Sequence, residues 1–305
     1  MYMPLNMNKD YEYVIIIPVV YKDFTFLKRS LPYILSNIEG VKRVYLITKL
    51  CMVKYLPKDI RNNSQITIID EDAVLEGLTY NRVSSIIYSQ GRKHTNPGWY
   101  YQQFLKMAFS ISKYCDSSYY LSWDADTIPV KKISMFDEMG HPFFSIKTEY
   151  HEPYFIAIRK MLGIEKCNKG SYIAEHMMFN RKIMIEMIEQ IEKSDAVGDT
   201  WYEKILNSIV PELVSTHAFS EFETYGTYCK TFYPNIYRER QIPSFRRGGL
   251  IMGRFVSDKI IQSLASDVAI VSFEIYDRPP FPWGQFCEWY EKLLKIKESY
   301  LLKNN

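Results

Sequence analysis

The sequence predicts an α/β protein with a mostly parallel sheet flanked by helices and a helical appendage at its carboxyl end. A continuous β-branched run over residues 13–20 is typical of a strand buried on both faces, as in parallel sheets. The order strand, helix, strand with short connections over residues 13–70 is typical of βαβ units. A hydrophobic fraction of 47% and a charged fraction of 24% are ordinary for a core-forming chain and exclude disorder.

Each element has its own signal in the sequence. Apolar, β-branched or aromatic runs predict strands over residues 13–20, 43–48, 65–70, 118–123, 142–148, 176–180 and 264–275. Helical periodicity predicts helices over residues 24–38, 98–114, 181–194 and 286–302. Pro18 marks the end of the first strand, and Gly40 closes the first helix. The proline-rich stretch at residues 278–282 is the predicted boundary of the appendage.

The composition narrows the choice of partners and compartment. The net charge is +3, from 38 basic and 35 acidic residues, so no nucleic-acid partner is expected. Five cysteines without a C-x-x-C pair argue against structural zinc and against a disulfide framework. No stretch has the length of a signal peptide's apolar region or of a membrane span, so we expect a cytoplasmic protein.

The most informative motif is Asp124-Ala125-Asp126, directly after the strand predicted over residues 118–123. Open α/β sheets bind their ligands at the carboxyl ends of the strands. Carboxylates at that edge suit Mg²⁺ or Mn²⁺, which usually shares its coordination with substrate phosphates. The alternative is a strand end followed by two solvated acids in a turn. Placement after a buried strand favours the metal site.

A second candidate is a polar face on the helix predicted over residues 98–114. Trp99, Gln103 and Lys106 fall at i, i+4 and i+7, opposite an apolar stripe. This face is either an ordinary solvated one, or it meets a ligand. In the second case Lys106 would contact an anionic group and Gln103 would hydrogen-bond a polar ligand.

Glu221 and Glu223 are the candidates for a general base. A reaction in which a hydroxyl attacks a substrate needs a carboxylate that takes the proton of that hydroxyl. The two side chains share a face if the segment is extended and lie about 200° apart if it is helical. The sequence Thr224-Tyr225-Gly226 predicts a tight turn directly after Glu223. A purely structural acidic segment is the alternative.

Two histidines and one basic cluster complete the set of candidates. His176 precedes a strand-like run, and His217 lies four residues before Glu221. Either could bind a ligand or a metal, or could be a hydrogen-bonded structural residue. The cluster Arg246-Arg247-Gly248-Gly249 could close over a pyrophosphate, or it could be a solvated loop.

These motifs together resemble those of glycosyltransferases with the GT-A fold. The run over residues 14–20, followed by Asp23, resembles their opening strand, and Asp124-Ala125-Asp126 resembles their D-x-D motif. Residues 98–106, the D-x-D motif and residues 222–226 form an ordered trio. The trio resembles bacterial transferases that build capsule, O-antigen or lipooligosaccharide chains. The resemblance covers about residues 12–235.

The resemblance implies a nucleotide-sugar donor and a bound Mn²⁺ or Mg²⁺ that neutralises the leaving diphosphate. Asp126 becomes the direct metal ligand, and Asp124 contacts the donor's ribose or sugar, or the metal through water. His217 becomes a candidate for completing the metal shell. Further donor contacts are expected from Pro18, Tyr21, Asp70, Gln103, Lys106 and Arg247.

For the acceptor, the resemblance implies a hydroxyl of a growing envelope glycan, free or lipid-linked. Glu223 is the expected base, with Glu221 as the alternative, and His176 and Tyr225 are expected to contact the acceptor. The catalytic domain is predicted to span residues 1–277, with a nucleotide-binding half over 12–130 and an acceptor half over 131–277.

Residues 278–305 form the predicted appendage, an amphipathic helix. Its apolar stripe either packs on the catalytic domain or lies on the inner face of the membrane, helped by nearby lysines. The stripe consists of Phe286, Trp289, Leu293 and Ile296. Membrane contact would be peripheral.

Three other classes compete with a glycosyltransferase. A haloacid-dehalogenase phosphatase needs a later Asp-Asp pair, and the sequence contains none. A sugar nucleotidylyltransferase needs a glycine-rich loop after its first strand, and residues 18–22 contain no glycine. A non-catalytic carbohydrate-binding protein with a transferase-like fold would have no chemical use for clustered carboxylates.

Overall fold

The structure is a computed structural model, and it describes residues 12–92, 95–166, 170–209, 217–253, 256–274, 277 and 279–303. Helices flank a central, mostly parallel sheet, and a long helix lies at the carboxyl end of the described chain. The α/β class and the carboxyl-terminal helix predicted from the sequence are therefore confirmed.

Ten strands are assigned among the described residues. They are β1 Tyr13–Pro18, β2 Val41–Thr48, β3 Ile66–Asp70, β4 Tyr119–Trp123, β5 Thr127–Pro129, β6 Phe143–Ser145, β7 His176–Asn180, β8 Arg238–Arg240, β9 Ser244–Phe245 and β10 Ile270–Ser272. The central sheet consists of β1, β2, β3, β4 and β7.

Eleven α-helices are assigned in the same part of the chain. They are α1 Phe24–Asn37, α2 Lys58–Arg61, α3 Tyr80–Ser89, α4 Pro97–Ala108, α5 Glu152–Leu162, α6 Arg181–Lys193, α7 Trp201–Ser208, α8 Glu221–Phe232, α9 Gly248–Met252, α10 Asp258–Ser263 and α11 Trp283–Lys303. The four helices expected from periodicity correspond to α1, α4, α6 and α11.

The chain divides into two units that interleave along the sequence. The first unit comprises residues up to Asp70, Trp123–Glu138 and the chain from Gln241 onward. The second comprises Glu71–Ser122 and Met139–Arg240. The domain boundaries expected from the sequence, near residues 130 and 278, stay a prediction.

The core of the first unit is the parallel run of strands β3-β2-β1. Residues 13–17 of β1 are all buried. Such a run of five apolar residues is stable only where both faces of a strand are covered, as the sequence pattern predicted. Helix α1 adds Phe26, Leu27 and Leu31 to the buried set. Its Asn37 donates a hydrogen bond to the carbonyl of Pro129, at 2.7 Å.

A small sheet in the first unit holds the segment that follows β4. Strand β10 pairs antiparallel with β5 and in parallel with β9. The strand predicted over residues 264–275 is thus much shorter than expected. Its first part, Leu264–Ser266, is a 3₁₀ turn, because Ser266 and the following Asp267 favour turns over strands.

The second unit contains β7 and residues 119–122 of β4, which are neighbours in the central sheet, and a core of aromatic rings in tilted and edge-to-face contact. The ring of Phe179 in β7 lies 5.1 Å from that of Tyr120, 5.8 Å from that of Phe222 and 4.9 Å from that of Tyr225. Many of the tyrosines are therefore buried in the hydrophobic core. Burying such rings is the main stabilising contribution available here.

The tight turn predicted at Thr224-Tyr225-Gly226 is wrong, because these residues lie inside α8. Ser220 caps the helix by accepting from the backbone N–H of Glu223, at 3.2 Å. The ring of Tyr172 packs directly on Gly226, since a Cβ at this position would lie 2.2 Å from one of its ring carbons. A glycine in a helix costs about 1 kcal/mol against alanine, and here it allows close approach of the ring.

Candidate functional site

The D-x-D motif lies in the turn between β4 and β5, and hydrogen bonds to surrounding elements hold this turn. The backbone N–H of Thr127 donates to the carbonyl of Asp124 at 3.1 Å, and that of Phe273 donates to the carbonyl of Asp126 at 3.0 Å. The Ser30 hydroxyl donates to the carbonyl of Ala125 at 2.7 Å. The Trp123 indole donates to the carbonyl of Thr127 at 2.9 Å. The turn is therefore fixed on α1, β4 and β10.

The two carboxylates of the turn are half-buried, whereas Ala125 between them is buried. Burial raises the pKa of Asp126 well above its usual range, and the negative charges of Asp124, Asp23 and Glu274 raise it further. Several carboxylates thus share one small region of the first unit. Their mutual repulsion is a cost that a bound cation would remove.

The carboxylate oxygens of Asp124 and Asp126 suit a hard divalent cation. Oxygen ligands from one or two carboxylates, completed by substrate phosphates, are the usual way in which proteins hold Mg²⁺. Within the described ranges, no three or more His, Cys, Asp or Glu side chains are grouped so that they could hold a metal ion by themselves. Water and substrate oxygens could complete the coordination of a cation held by Asp124 and Asp126.

The arginine-glycine cluster lies beside this turn. Arg247 forms an isolated antiparallel bridge with Phe273, the residue whose N–H donates to Asp126. Arg246 pairs with Glu274, at 3.2 Å. A Cβ at Gly248 would lie 2.8 Å from the carbonyl oxygen of Ser272, so the glycine allows the loop to approach β10.

Three residues predicted to contact a nucleotide-sugar donor, Pro18, Tyr21 and Asp70, lie in the first unit at or just after strand ends. Pro18 ends β1, and Asp70 ends β3, where it pairs with Thr48. Tyr21 begins a 3₁₀ turn after β1, and its backbone N–H donates to Glu298 Oε1 of α11 at 3.1 Å. The Lys297 ammonium lies 5.6 Å from the centre of the Tyr21 ring. Their donor contacts stay predictions.

Gln103 and Lys106 of α4 lie in a buried polar network of the second unit. Lys106 Nζ pairs with Glu221 Oε1 at 2.9 Å, and both side chains are about 5% exposed. Gln103 Oε1 accepts from the backbone N–H of Glu221 at 3.0 Å. The solvated-face alternative for these two residues is therefore wrong. Whether they also contact a donor stays a prediction.

Glu223 is fully buried in the second unit. Its Oε1 accepts from the Ser171 hydroxyl and, at 2.8 Å, from the backbone N–H of Tyr172. Lys166 Nζ lies 3.8 Å from Oε2. Burial raises the pKa of Glu223, and the hydrogen bond from Ser171 and the charge of Lys166 oppose that rise. The carboxylate anchors residues 171–172 on α8, and its role as a base stays a prediction.

The two predicted acceptor contacts are both buried. The His176 ring accepts from or donates to Ser145 Oγ at 2.9 Å, and burial, followed by the charges of Arg240 and Lys147, lowers its pKa to about 3. It is therefore neutral at physiological pH. Tyr225 accepts from the backbone N–H of Asn180 at 2.8 Å. Contact of either residue with an acceptor stays a prediction.

His217, the predicted third metal ligand, lies before α8 in the second unit. Its ring centre is 4.5 Å from that of Trp99. The residue has φ of 56°, a left-handed conformation that is uncommon outside glycine. Burial lowers the pKa of the imidazole, with a smaller contribution from His151. A metal-binding role stays a prediction.

Two acidic residues of the first unit, Glu274 and Glu298, were not predicted from the sequence as site residues. Glu274 follows β10, and it contributes to the raised pKa of Asp126. Its signal was the same as that of the D-x-D motif, a carboxylate just after an apolar strand. Glu298 of α11 contacts Tyr21, and no sequence signal identified that contact.

The fold and this site define an α/β protein with paired carboxylates on a turn at the carboxyl end of a buried strand, and a basic loop beside them. The chain belongs to the family described as a family of unknown function, DUF6492, whose model matches residues 24–241. No curated protein matches the chain in sequence.

Solved structures of several glycosyltransferases are similar to this fold. Apo mouse xyloside xylosyltransferase 1 is 10% identical, with 88% of this chain and 100% of that chain covered and a TM-score of 0.45. The apo bifunctional glycosyltransferase WbbM is 12% identical, with 90% and 48% covered and a TM-score of 0.42. The galactosyltransferase LgtC, in complex with donor and acceptor sugar analogs, is 13% identical, with 93% and 95% covered and a TM-score of 0.41.

Proposed function

We propose that this protein is a glycosyltransferase that moves a sugar from a nucleotide-sugar donor to a hydroxyl of a growing glycan. One observation carries the proposal: the backbones of Asp126, on the D-x-D turn, and of Arg247, on the adjoining loop, both contact Phe273. Carboxylates that hold a divalent cation and an arginine that binds phosphate oxygens are the groups that a departing nucleoside diphosphate requires.

Each residue has a role in the proposal. Asp126 and Asp124 would hold Mn²⁺ or Mg²⁺, which stabilises the negative charge of the leaving diphosphate. Arg247 would donate hydrogen bonds to the same diphosphate, and Tyr21 would stack on the base. Burial, and then the charges of neighbouring carboxylates, raise the pKa of Asp126, and a bound cation would offset the repulsion among these carboxylates.

The acceptor side of the proposal is a hydroxyl of a bacterial envelope glycan, reached on the cytoplasmic side of the membrane. The reaction would be inverting, with Glu223 as the base. The supporting evidence is the resemblance of the ordered motifs in the sequence, together with an acidic segment at the start of α8.

A thermal-shift screen of nucleoside diphosphates and CMP, each with Mn²⁺, tests the donor class. A ligand that binds only the folded protein stabilises it by RT ln(1 + [L]/Kd), about 2.7 kcal/mol at a hundred times Kd. We expect one base to raise the melting temperature in a metal-dependent way. Hydrolysis of the matching nucleotide sugar in the presence of Mn²⁺ then separates a transferase from a carbohydrate-binding protein. No shift with any nucleotide would contradict the proposal.

Replacing Glu223 by Gln is expected to lower sugar transfer by about 10²- to 10⁴-fold with donor binding retained, because a general base contributes roughly that factor. The measurement is transfer to a soluble acceptor, with donor binding followed by thermal shift. The variant Glu221→Gln tests the alternative base, and its melting temperature is measured alongside, because it leaves Lys106 buried without its counterion.

The alternatives give different patterns. A Glu221→Gln variant that is folded, binds the donor and is inactive, beside an active Glu223→Gln variant, would exchange the two roles. Activity in both variants would refute a base in this segment. A Glu223→Gln variant that loses donor binding and stability together would show that the carboxylate only anchors Ser171 and Tyr172.

A further inference from the structure

Helix α11 carries an apolar stripe on the face that is exposed. The stripe, called the outer stripe below, consists of Phe286, Trp289, Leu293, Ile296 and Tyr300. Its members are 43% to 66% exposed. They recur at alternating intervals of three and four residues and fall within an arc of about 80° on the helix. The expectation that the stripe packs on the rest of the protein is therefore wrong.

The opposite face of α11 accounts for the attachment of the helix. Cys287 and Glu291 are its buried residues, and Glu298 accepts the hydrogen bond from Tyr21. These positions lie about 140° or more from the centre of the outer stripe. The helix thus has one face bound to the first unit and another that is apolar and exposed.

Charge distinguishes between the occupants that could cover the outer stripe. Lys297 lies on one side of the stripe, and Lys292 and Lys303 lie on the other, about 60° to 80° from its centre. All three are exposed. The acidic residues Glu288, Glu291 and Glu298 lie about 120° or more away. Lys292 pairs with Glu288 at 2.8 Å, so the net positive charge comes from Lys297 at one edge and Lys303 at the other. This charge favours an anionic surface.

A second copy of the chain fits this surface poorly. In a parallel helix pair with Phe286 at a core position, Lys292 of one helix would lie against Lys297 of the other, because these positions flank the core. Like charges at such positions repel. Large aromatic residues also recur along the stripe, and Trp and Tyr prefer the interface between lipid and water.

We propose that the outer stripe is a docking surface for an anionic lipid bilayer, on which α11 lies in the plane of the interface. The helix has 21 residues and would extend for about 30 Å along the surface. None of the helices within the described residues is both long enough and apolar enough to span a membrane. An amphipathic helix with lysines at the edges of an aromatic face has the chemistry of a peripheral membrane contact.

The test is co-sedimentation of the full chain with phosphatidylglycerol vesicles, without any donor or acceptor. This measurement is independent of the proposed transferase function. We expect binding to phosphatidylglycerol that weakens as salt is raised, and much weaker binding to phosphatidylcholine. Emission of the exposed Trp283 and Trp289 should shift to shorter wavelength on binding, since Trp123 and Trp201 are already buried.

Two sets of variants locate the contact. The double variant Trp289→Gln and Ile296→Gln should bind at least about tenfold more weakly, because two apolar side chains no longer enter the interface. Its control is Ile260→Gln, an exposed apolar residue on α10, which should bind like the unmodified protein. Lys292→Gln and Lys303→Gln should each weaken binding by about fivefold, and Lys182→Gln on α6 is their control.

Three results would overturn the proposal. The first is a full chain that does not bind phosphatidylglycerol vesicles. The second is binding that the outer-stripe double variant leaves unchanged. The third is a dimer, seen by sedimentation velocity without lipid, that the double variant abolishes, since the stripe would then be covered by a second copy of the chain.

Discussion

Replacing Asp126 by Asn is expected to lower metal-dependent turnover of a nucleotide sugar by at least about a hundredfold. A divalent cation contributes several kcal/mol of charge stabilisation to a departing diphosphate, and each 1.36 kcal/mol is a factor of ten in rate. The amide keeps the shape of the side chain but lacks the charge that would hold the cation. Turnover across a Mn²⁺ titration is the measurement.

Stability provides the control for this variant. The free energy of unfolding should stay unchanged or rise, because burial and the charges of Asp124, Asp23 and Glu274 disfavour the ionised Asp126. The matched variant is Asp59→Asn, an exposed acid of α2 in the same unit, which should keep full turnover. Near-normal turnover of Asp126→Asn at low Mn²⁺ would remove the residue from the metal site.

Replacing Lys106 by Met should lower the free energy of unfolding by about 3–5 kcal/mol. Lys106 and Glu221 form a pair at 2.9 Å with both side chains about 5% exposed. Removal of one partner leaves a buried charge without its counterion, and that loss costs far more than the pair itself contributes. Denaturant unfolding measures the change.

A second substitution checks that reason. Adding Glu221→Gln to Lys106→Met removes the remaining charge, so the double variant should be more stable than the single one. The matched exposed pair is Lys182 and Glu186 at 3.9 Å, where Lys182→Met should cost less than about 0.5 kcal/mol. If Lys106→Met and Lys182→Met cost the same, the pair on α4 and α8 is not a buried electrostatic contact.

Local patterns predicted most of the regular structure. The apolar run at residues 13–17 needed two covered faces wherever it lay in the chain, and it forms β1. The stripe with a period of 3.6 residues in residues 181–194 needed one covered face, and it forms α6 with five buried apolar residues. Such signals are read from neighbouring residues alone.

The same reasoning failed at residues 219–226, for a physical reason. Thr-Tyr-Gly is favourable in a tight turn, because glycine adopts conformations that other residues avoid. In α8 the helix is retained because Gly226 allows the Tyr172 ring to approach closely and Ser220 caps the helix start. Packing between distant segments decided the conformation, and local preference did not.

The amino-acid sequence by itself determined the α/β class, the position of Asp124 and Asp126 after a buried strand, and the amphipathic character of the last helix. Only the tertiary structure decided which groups meet. The pairing of β10 with β5 brings Glu274 and Arg247 to the D-x-D turn, and the packing of α4 with α8 buries Lys106 beside Glu221. The physical reason is that periodicity reports whether a face is covered, whereas contacts between residues more than a hundred positions apart depend on the packing of the whole chain.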